Sequence, residues 1–122
     1  MADKIKVLYI DDELINTELF KINFEDYYRV ITAESGREGL EKLNKNDDIK
    51  LIISDMKMPG MNGLEFITKA REKFPDKKYF ILSGYDISDE IEIALKEKVI
   101  LKYFKKPFNM DQINMAIQEC LD

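Results

Sequence analysis

The stretch Leu51-Ile52-Ile53-Ser54-Asp55-Met56-Lys57-Met58-Pro59-Gly60-Met61-Asn62-Gly63 decides how this chain folds. Leu51 to Ile53 are continuous, apolar and partly β-branched, the pattern of a strand buried on both faces. Pro59, Gly60, Asn62 and Gly63 then force a turn. Asp55 therefore stands where a buried strand opens into a loop. In parallel α/β sheets that edge is where ligands and chemistry collect. A lone Asp in such a place more often ends a strand or caps a turn. The other strand ends change the balance.

Outward from this centre, strand and helix patterns alternate. Upstream, 5–10 reads as a strand ending at Asp11-Asp12-Glu13. A helix follows over 14–25, where Ile15, Leu19 and Ile22 recur at helical spacing and share one face. A shorter strand, 28–33, ends at Glu34-Ser35-Gly36. The second helix spans about 35–46, with Leu40 and Leu43 inward and Glu38 placed for a capping box with Ser35. The strand over 50–54 then delivers Asp55. Downstream, 63–74 forms a helix with Leu64, Ile67, Ala70 and Phe74 on one stripe, stopped by Pro75-Asp76. A strand over 79–82 ends at Ser83-Gly84, and Asp86 or Ser88 caps a helix reaching about Lys98. A last strand, 100–104, ends at Lys105-Lys106-Pro107-Phe108. Asn109 or Asp111 starts the final helix, striped by Met110, Ile113, Ile117, Cys120 and Leu121.

Five alternations predict an α/β fold: a doubly wound, five-stranded parallel sheet with helices on both faces, since each crossover is right-handed and must cover the sheet. The commoner strand order at this size is 2-1-3-4-5, flavodoxin-like, with its crevice between strands 1 and 3. The 122 residues make one expected domain, 1–122, with 45% hydrophobic and 35% charged residues, as in a soluble globular protein. The net charge of −5 argues against a nucleic-acid surface. A single cysteine excludes an internal disulfide and fits a cytoplasmic protein. The absence of histidine removes histidine triads and histidine metal ligands. The apolar run after Met1-Ala2-Asp3-Lys4 is too short for a signal peptide or membrane span.

The strand ends gather chemistry. Strand 1 offers Asp11 and Asp12, strand 3 Asp55, strand 4 Ser83 and strand 5 Lys106. Strand 2, at an edge, offers only Glu34. Three clustered carboxylates repel, and a hard divalent cation relieves them; Mg²⁺ suits a few carboxylates with waters and phosphate oxygens. An ammonium and a hydroxyl beside it suit phosphoryl oxygens. An Asp oxygen is a competent nucleophile for phosphorus. No glycine-rich phosphate loop is present, so the site suits accepting a phosphoryl group rather than holding a nucleotide. Each residue has an ordinary role too: Asp11-Asp12 as helix caps, Ser83 and Lys106-Pro107 as turns, Lys105 as a solvated charge.

The set closely resembles the receiver domain of two-component response regulators, the chemotaxis-regulator-like family, along essentially the whole chain. The resemblance rests on Asp11-Asp12, on Asp55 in its Asp-Met-Lys-Met-Pro-Gly-Met-Asn-Gly context, on Ser83-Gly84 and on Lys106-Pro107-Phe108. It implies that Asp55 accepts a phosphoryl group from a phosphohistidine on a sensor histidine kinase or phosphotransfer protein. Asp12 and Asp55 would bind Mg²⁺, Asp11 mainly through water, and the Lys57 backbone carbonyl would complete the protein ligands. Lys106 would contact the phosphoryl group, Ser83 would move to bond it, and Tyr103 matches the switch aromatic. A surface of the fourth helix, fifth strand and fifth helix would then signal to a downstream protein. Lys57 and Tyr85, two residues beyond Asp55 and Ser83, overhang the loop mouth and would tune phosphoryl lifetime.

Two rivals differ in class. A phosphatase or phosphotransferase of the haloacid-dehalogenase type also uses Asp, Mg²⁺, a hydroxyl and Lys. That family wants Asp-x-Asp on strand 1, whereas the pattern here is Asp55-Met56-Lys57 on strand 3. A phosphorylation-independent interaction module shares the fold, but the intact acidic pair, acceptor and lysine speak against it.

Overall fold

Residues 7–10, 51–54 and 79–83 have almost no contact with solvent, and that two-sided burial selects parallel strands there over amphipathic helices. The computed structural model describes residues 4–121. Its strands are β1 (Lys6–Ile10), β2 (Arg29–Ala33), β3 (Ile49–Ser54), β4 (Lys78–Ser83) and β5 (Lys102–Lys105). Its helices are α1 (Leu14–Phe24), α2 (Gly36–Lys45), α3 (Gly63–Lys73), α4 (Asp89–Lys96) and α5 (Met110–Leu121). All strand pairs are parallel, in the order β2-β1-β3-β4-β5, as the alternation predicts. The reading of Met1 to Asp3 lies outside the described residues. Among those described, no helix is long and apolar enough to cross a membrane.

Successive strand residues feed opposite faces. Leu8, Ile10, Ile52 and Ile81 pack with Phe66 and Ile67 of α3 and Ile91 of α4. Val7, Tyr9, Ile53 and Phe80 pack with Phe20 and Phe24 of α1 and Ile113 and Ile117 of α5. Here one expectation is corrected. The face shared by Ile15, Leu19 and Ile22 points to solvent, and α1 buries Thr17, Phe20 and Phe24 instead. Phe20 stacks on Tyr9 at 4.3 Å between centroids and on Phe24 at 4.4 Å. Phe20 and Phe24 each bury a large ring and gain the stacking contacts with Tyr9 and with each other, which the aliphatic face could not make, so they take the inward side.

Caps fix where the helices begin. Ser88 caps α4, accepting from Ile91 N. Asn109 Oδ1 accepts from Gln112 N at the head of α5. Ser35 caps α2, but the Glu38 carboxylate accepts from Glu34 N rather than closing the box on Ser35 N. The reciprocal box lies at α3: Asn62 accepts from Glu65 N at 2.9 Å, and Glu65 accepts from Asn62 N at 3.0 Å. That box locks the start of α3 directly behind the Asp55 loop.

Candidate functional site

One extra hydrogen bond beyond each ladder holds the key residues at the sheet's carboxyl edge. Asp11 N donates to Ala33 O at 3.1 Å, Asp55 N to Ile10 O at 2.8 Å, and Lys106 N to Ser83 O at 2.7 Å. The backbones of all three are thus registered to neighbouring strands rather than left to loop motion. The Lys106-Pro107 peptide is cis. Below Asp55, Gly63 N donates to Met56 O at 2.8 Å, and a side chain at Gly63 would put its Cβ 2.4 Å from the Asp55 carbonyl oxygen. Only glycine permits that approach. Gly60 supplies the positive φ of 78° that turns the loop.

The side chains converge. One carboxylate oxygen from each of Asp11, Asp12 and Asp55 lies within 4.8 Å of the others. Lys106 Nζ lies 2.7 Å from Asp11 Oδ2 and 3.4 Å from Asp55 Oδ2. Asp12, Asp55, Lys57, Tyr85 and Lys106 line one open cleft of about 440 Å³. Ser83 is buried at the end of β4, and its hydroxyl accepts from Tyr85 N at 3.2 Å. Tyr103 lies on β5, half-buried, and its hydroxyl is shielded from solvent with no hydrogen-bond partner among the described residues. Lys105 points away, paired with Asp86 at 2.6 Å.

Burial, reinforced by the Asp11 charge, pushes the Asp55 carboxyl up to about 6, against the opposing pull of Lys106. Burial disfavours the Lys106 ammonium, yet its hydrogen bond to Asp11 and the Asp55 and Asp11 charges outweigh this and hold it above the ordinary lysine range. The cluster therefore carries more negative charge than its one lysine compensates. Its donors are hard carboxylate oxygens without nitrogen or sulfur, so the residues present fit Mg²⁺.

Two contacts escaped the sequence reading. Tyr9 OH donates to Asp11 Oδ2 at 2.7 Å, from a fully buried ring. Its spacing of two from Asp11 on a strand, which puts both on one face, was the available signal. Lys57 Nζ sits 4.1 Å from the centroid of the Tyr85 ring. Both residues were expected at the mouth, but no spacing rule joins them to each other.

Comparisons with known proteins agree with this arrangement. The response regulator receiver domain model matches residues 7–118. The chain is 35% identical to chemotaxis protein CheY1 of Helicobacter pylori, over 96% of this chain and 97% of that protein. It is 29% identical to the hydrogenase transcriptional regulatory protein HoxA of Cupriavidus necator, covering 100% of this chain but 25% of that protein. The chain thus spans about a quarter of the length of HoxA. Among solved structures, a response regulator receiver domain protein from Clostridium thermocellum superposes with a TM-score of 0.89 at 32% identity, covering 96% of this chain and 94% of that one. The response regulator TrrA of Thermotoga maritima, solved in complex with Mg(2+)-BeF, superposes at 0.82 and 32% identity, covering 96% and 99%. With the family model spanning nearly the whole sheet and its crevice, the chain belongs to the response regulator receiver domain family of two-component signalling.

Proposed function

We propose that residues 1–122 form a single receiver domain in which Asp55 accepts a phosphoryl group from a phosphohistidine. The observation that carries this reading is the meeting of Asp11, Asp12, Asp55 and Lys106 in one cleft at the carboxyl edge of the sheet. An Asp55 carboxylate oxygen forms the new O–P bond as the donor's N–P bond breaks, and the imidazole nitrogen keeps the electron pair. At neutral pH a carboxyl with its pKa near 6 is mainly ionised and competent to attack. Lys106, 3.4 Å from Asp55 Oδ2, is placed to offset charge on the transferred phosphoryl oxygens. Asp12, Asp55, the Lys57 carbonyl and, through water, Asp11 would hold Mg²⁺, which supplies further charge neutralisation when bound.

Leu14, Ile15, Leu19 and Ile22 leave an exposed aliphatic surface on α1, whose first turn supplies Asn16 to the cleft, and this supports docking of the phosphodonor on α1. Output runs through α4, β5 and α5, where Lys96, Lys98 and Gln112 are exposed and Lys102 pairs with Glu119 at 3.7 Å. Ser83 and Tyr103 relay the change. The lone Tyr103 hydroxyl costs about 1–3 kcal/mol where it lies, so a second packing that satisfies it is within reach of a new charge on Asp55.

Incubation with acetyl phosphate and Mg²⁺, read by intact mass, is expected to add one phosphoryl group to the wild type and none to Asp55→Asn. Chelation of Mg²⁺ should abolish the addition, and beryllofluoride should shift amides of α4, β5 and α5. Wild-type labelling of Asp55→Asn would overturn the assignment.

A further inference from the structure

α3 packs on α2 along one flank, and its other flank faces α4 across an open groove of about 550 Å³. The floor is apolar: Leu64 from α3, Ala94 from α4, and Val99 from the segment after it. Ile93 stands at the rim, 55% exposed. Glu90, Ile93, Ala94 and Glu97 follow one another at helical spacing, so one stripe of α4 and its cap presents both the apolar seat and the acidic edge.

The charge of this groove is one-sided. Glu72, Glu90 and Glu97 line it and are exposed, and no ion pair among the described residues engages any of them. Lys69 is the one cation among the lining residues. Lys73, in the same turn as Glu72, reaches the opposite way and donates to Asn44 Oδ1 at 2.6 Å. Both helices cross between parallel strands and run in the same sense, so their partly negative carboxyl ends lie at one end of the groove. Glu72 in the last turn of α3 and Glu97 at the cap of α4 add formal charge where the helix dipoles are already negative. Arg71, Lys73 and Lys96 in the same last turns offset the dipoles but do not line the groove, so Glu72 and Glu97 leave its wall acidic and suited to a cation from outside.

We propose that the α3–α4 groove docks a basic amphipathic helical segment of a partner protein. Its aliphatic side chains seat on Leu64, Ile93, Ala94 and Val99, and its lysines or arginines meet Glu72, Glu90 and Glu97. An acidic rim repels anionic lipid headgroups and nucleic-acid phosphates alike, so a protein segment is the occupant the chemistry selects. The groove lies apart from the Asp55 cleft, and its binding requires no phosphorylation.

The test is an amide chemical-shift titration of the full chain, at low salt and without phosphodonor, with a short amidated leucine–lysine amphipathic peptide. The largest shifts are expected along the facing stripes of α3 and α4. The double variant Glu72→Lys/Glu97→Lys should weaken the peptide by more than about tenfold, because attraction becomes repulsion. Both changes place a cation at a helix carboxyl end, so folding is not put at risk. Ile93→Ser should weaken it by about fivefold through lost apolar contact. Glu41→Lys, on α2, should stay within about twofold, and a leucine–glutamate peptide should not bind. Saturable binding centred on the aliphatic stripe of α1, equal weakening by Glu41→Lys, or no saturable binding overturns the proposal.

Discussion

Replacing Asp55 by Asn should stabilise the protein when metal is absent. In the folded chain the Asp55 carboxyl is held up at about 6, from an ordinary value of 3.8, first by burial and then by Asp11. An acid raised on folding stabilises the native state below its unfolded value and loses that stabilisation as pH rises through its folded one. Between about pH 4 and 6 the unfolded chain has released this proton while the folded chain retains it, so stability falls with rising pH and then levels off. A shift of about two units corresponds to about 3 kcal/mol lost at neutral pH. The pull of Lys106 is already contained in that net value. Asn carries no charge and escapes the penalty. In chelator at pH 7.5, Asp55→Asn should gain about 2–3 kcal/mol, or about 10 °C in Tm for a domain of this size. At pH 4 the gain should vanish. Urea unfolding followed by circular dichroism at both pH values measures it, with the slope against denaturant unchanged. Added Mg²⁺ should close the gap from the other side, stabilising the wild type by about 1.4 kcal/mol at ten times its dissociation constant. A variant no more stable than wild type at pH 7.5, or a gain that persists undiminished at pH 4, would refute the reasoning.

Gly63→Ala should destabilise the fold by about 1–3 kcal/mol, because its Cβ meets backbone rather than a yielding side chain, at 2.4 Å from the Asp55 carbonyl oxygen. The same shift of the acceptor loop should slow labelling from acetyl phosphate, and wild-type values in both denaturation and labelling would count against the close contact. Lys57 over the Tyr85 ring partly covers the mouth of the cleft, so Lys57→Ala and Tyr85→Ala should each speed dephosphorylation at saturating Mg²⁺, by about twofold or more, as loss of a contact worth about 0.5–1 kcal/mol implies. Unchanged hydrolysis rates in both variants would remove them from that role.

The parts of the fold that were legible in the sequence are those governed by local rules. Leu51 to Ser54 announce a buried strand, and Pro59, Gly60 and Gly63 announce its turn, so Asp55 is fixed at an edge before any partner is known. Asp11 and Lys106 follow in the same way from their own strands. Side-chain direction was less legible. In α1, counting apolar positions favoured Ile15, Leu19 and Ile22, whereas residue volume and stacking on Tyr9 gave the inward side to Phe20 and Phe24. Pairings between distant residues were the least legible. Lys106 and Asp11 are separated by 95 positions and meet at 2.7 Å only because β5 and β1 share an edge of one sheet. The acidic α3–α4 groove likewise needs the spacing of two helices, which no single stripe encodes.

The hydrogen bonds around Asp11 bear on ion selectivity. Its Oδ2 accepts from Tyr9 OH and lies against Lys106 Nζ, and its Oδ1 accepts from Glu13 N at 3.0 Å. A carboxylate has about four lone-pair positions, so these three donors leave Asp11 one. While they hold, Asp11 cannot wrap both oxygens around an ion. Large hard cations such as Ca²⁺ satisfy their higher coordination number with chelating carboxylates, whereas Mg²⁺ keeps much of its water and asks little of any one side chain. With Tyr9 OH and Lys106 Nζ on its Oδ2, Asp11 would make a poor chelating ligand for a large ion, while a Mg²⁺ ion would ask no such geometry of it.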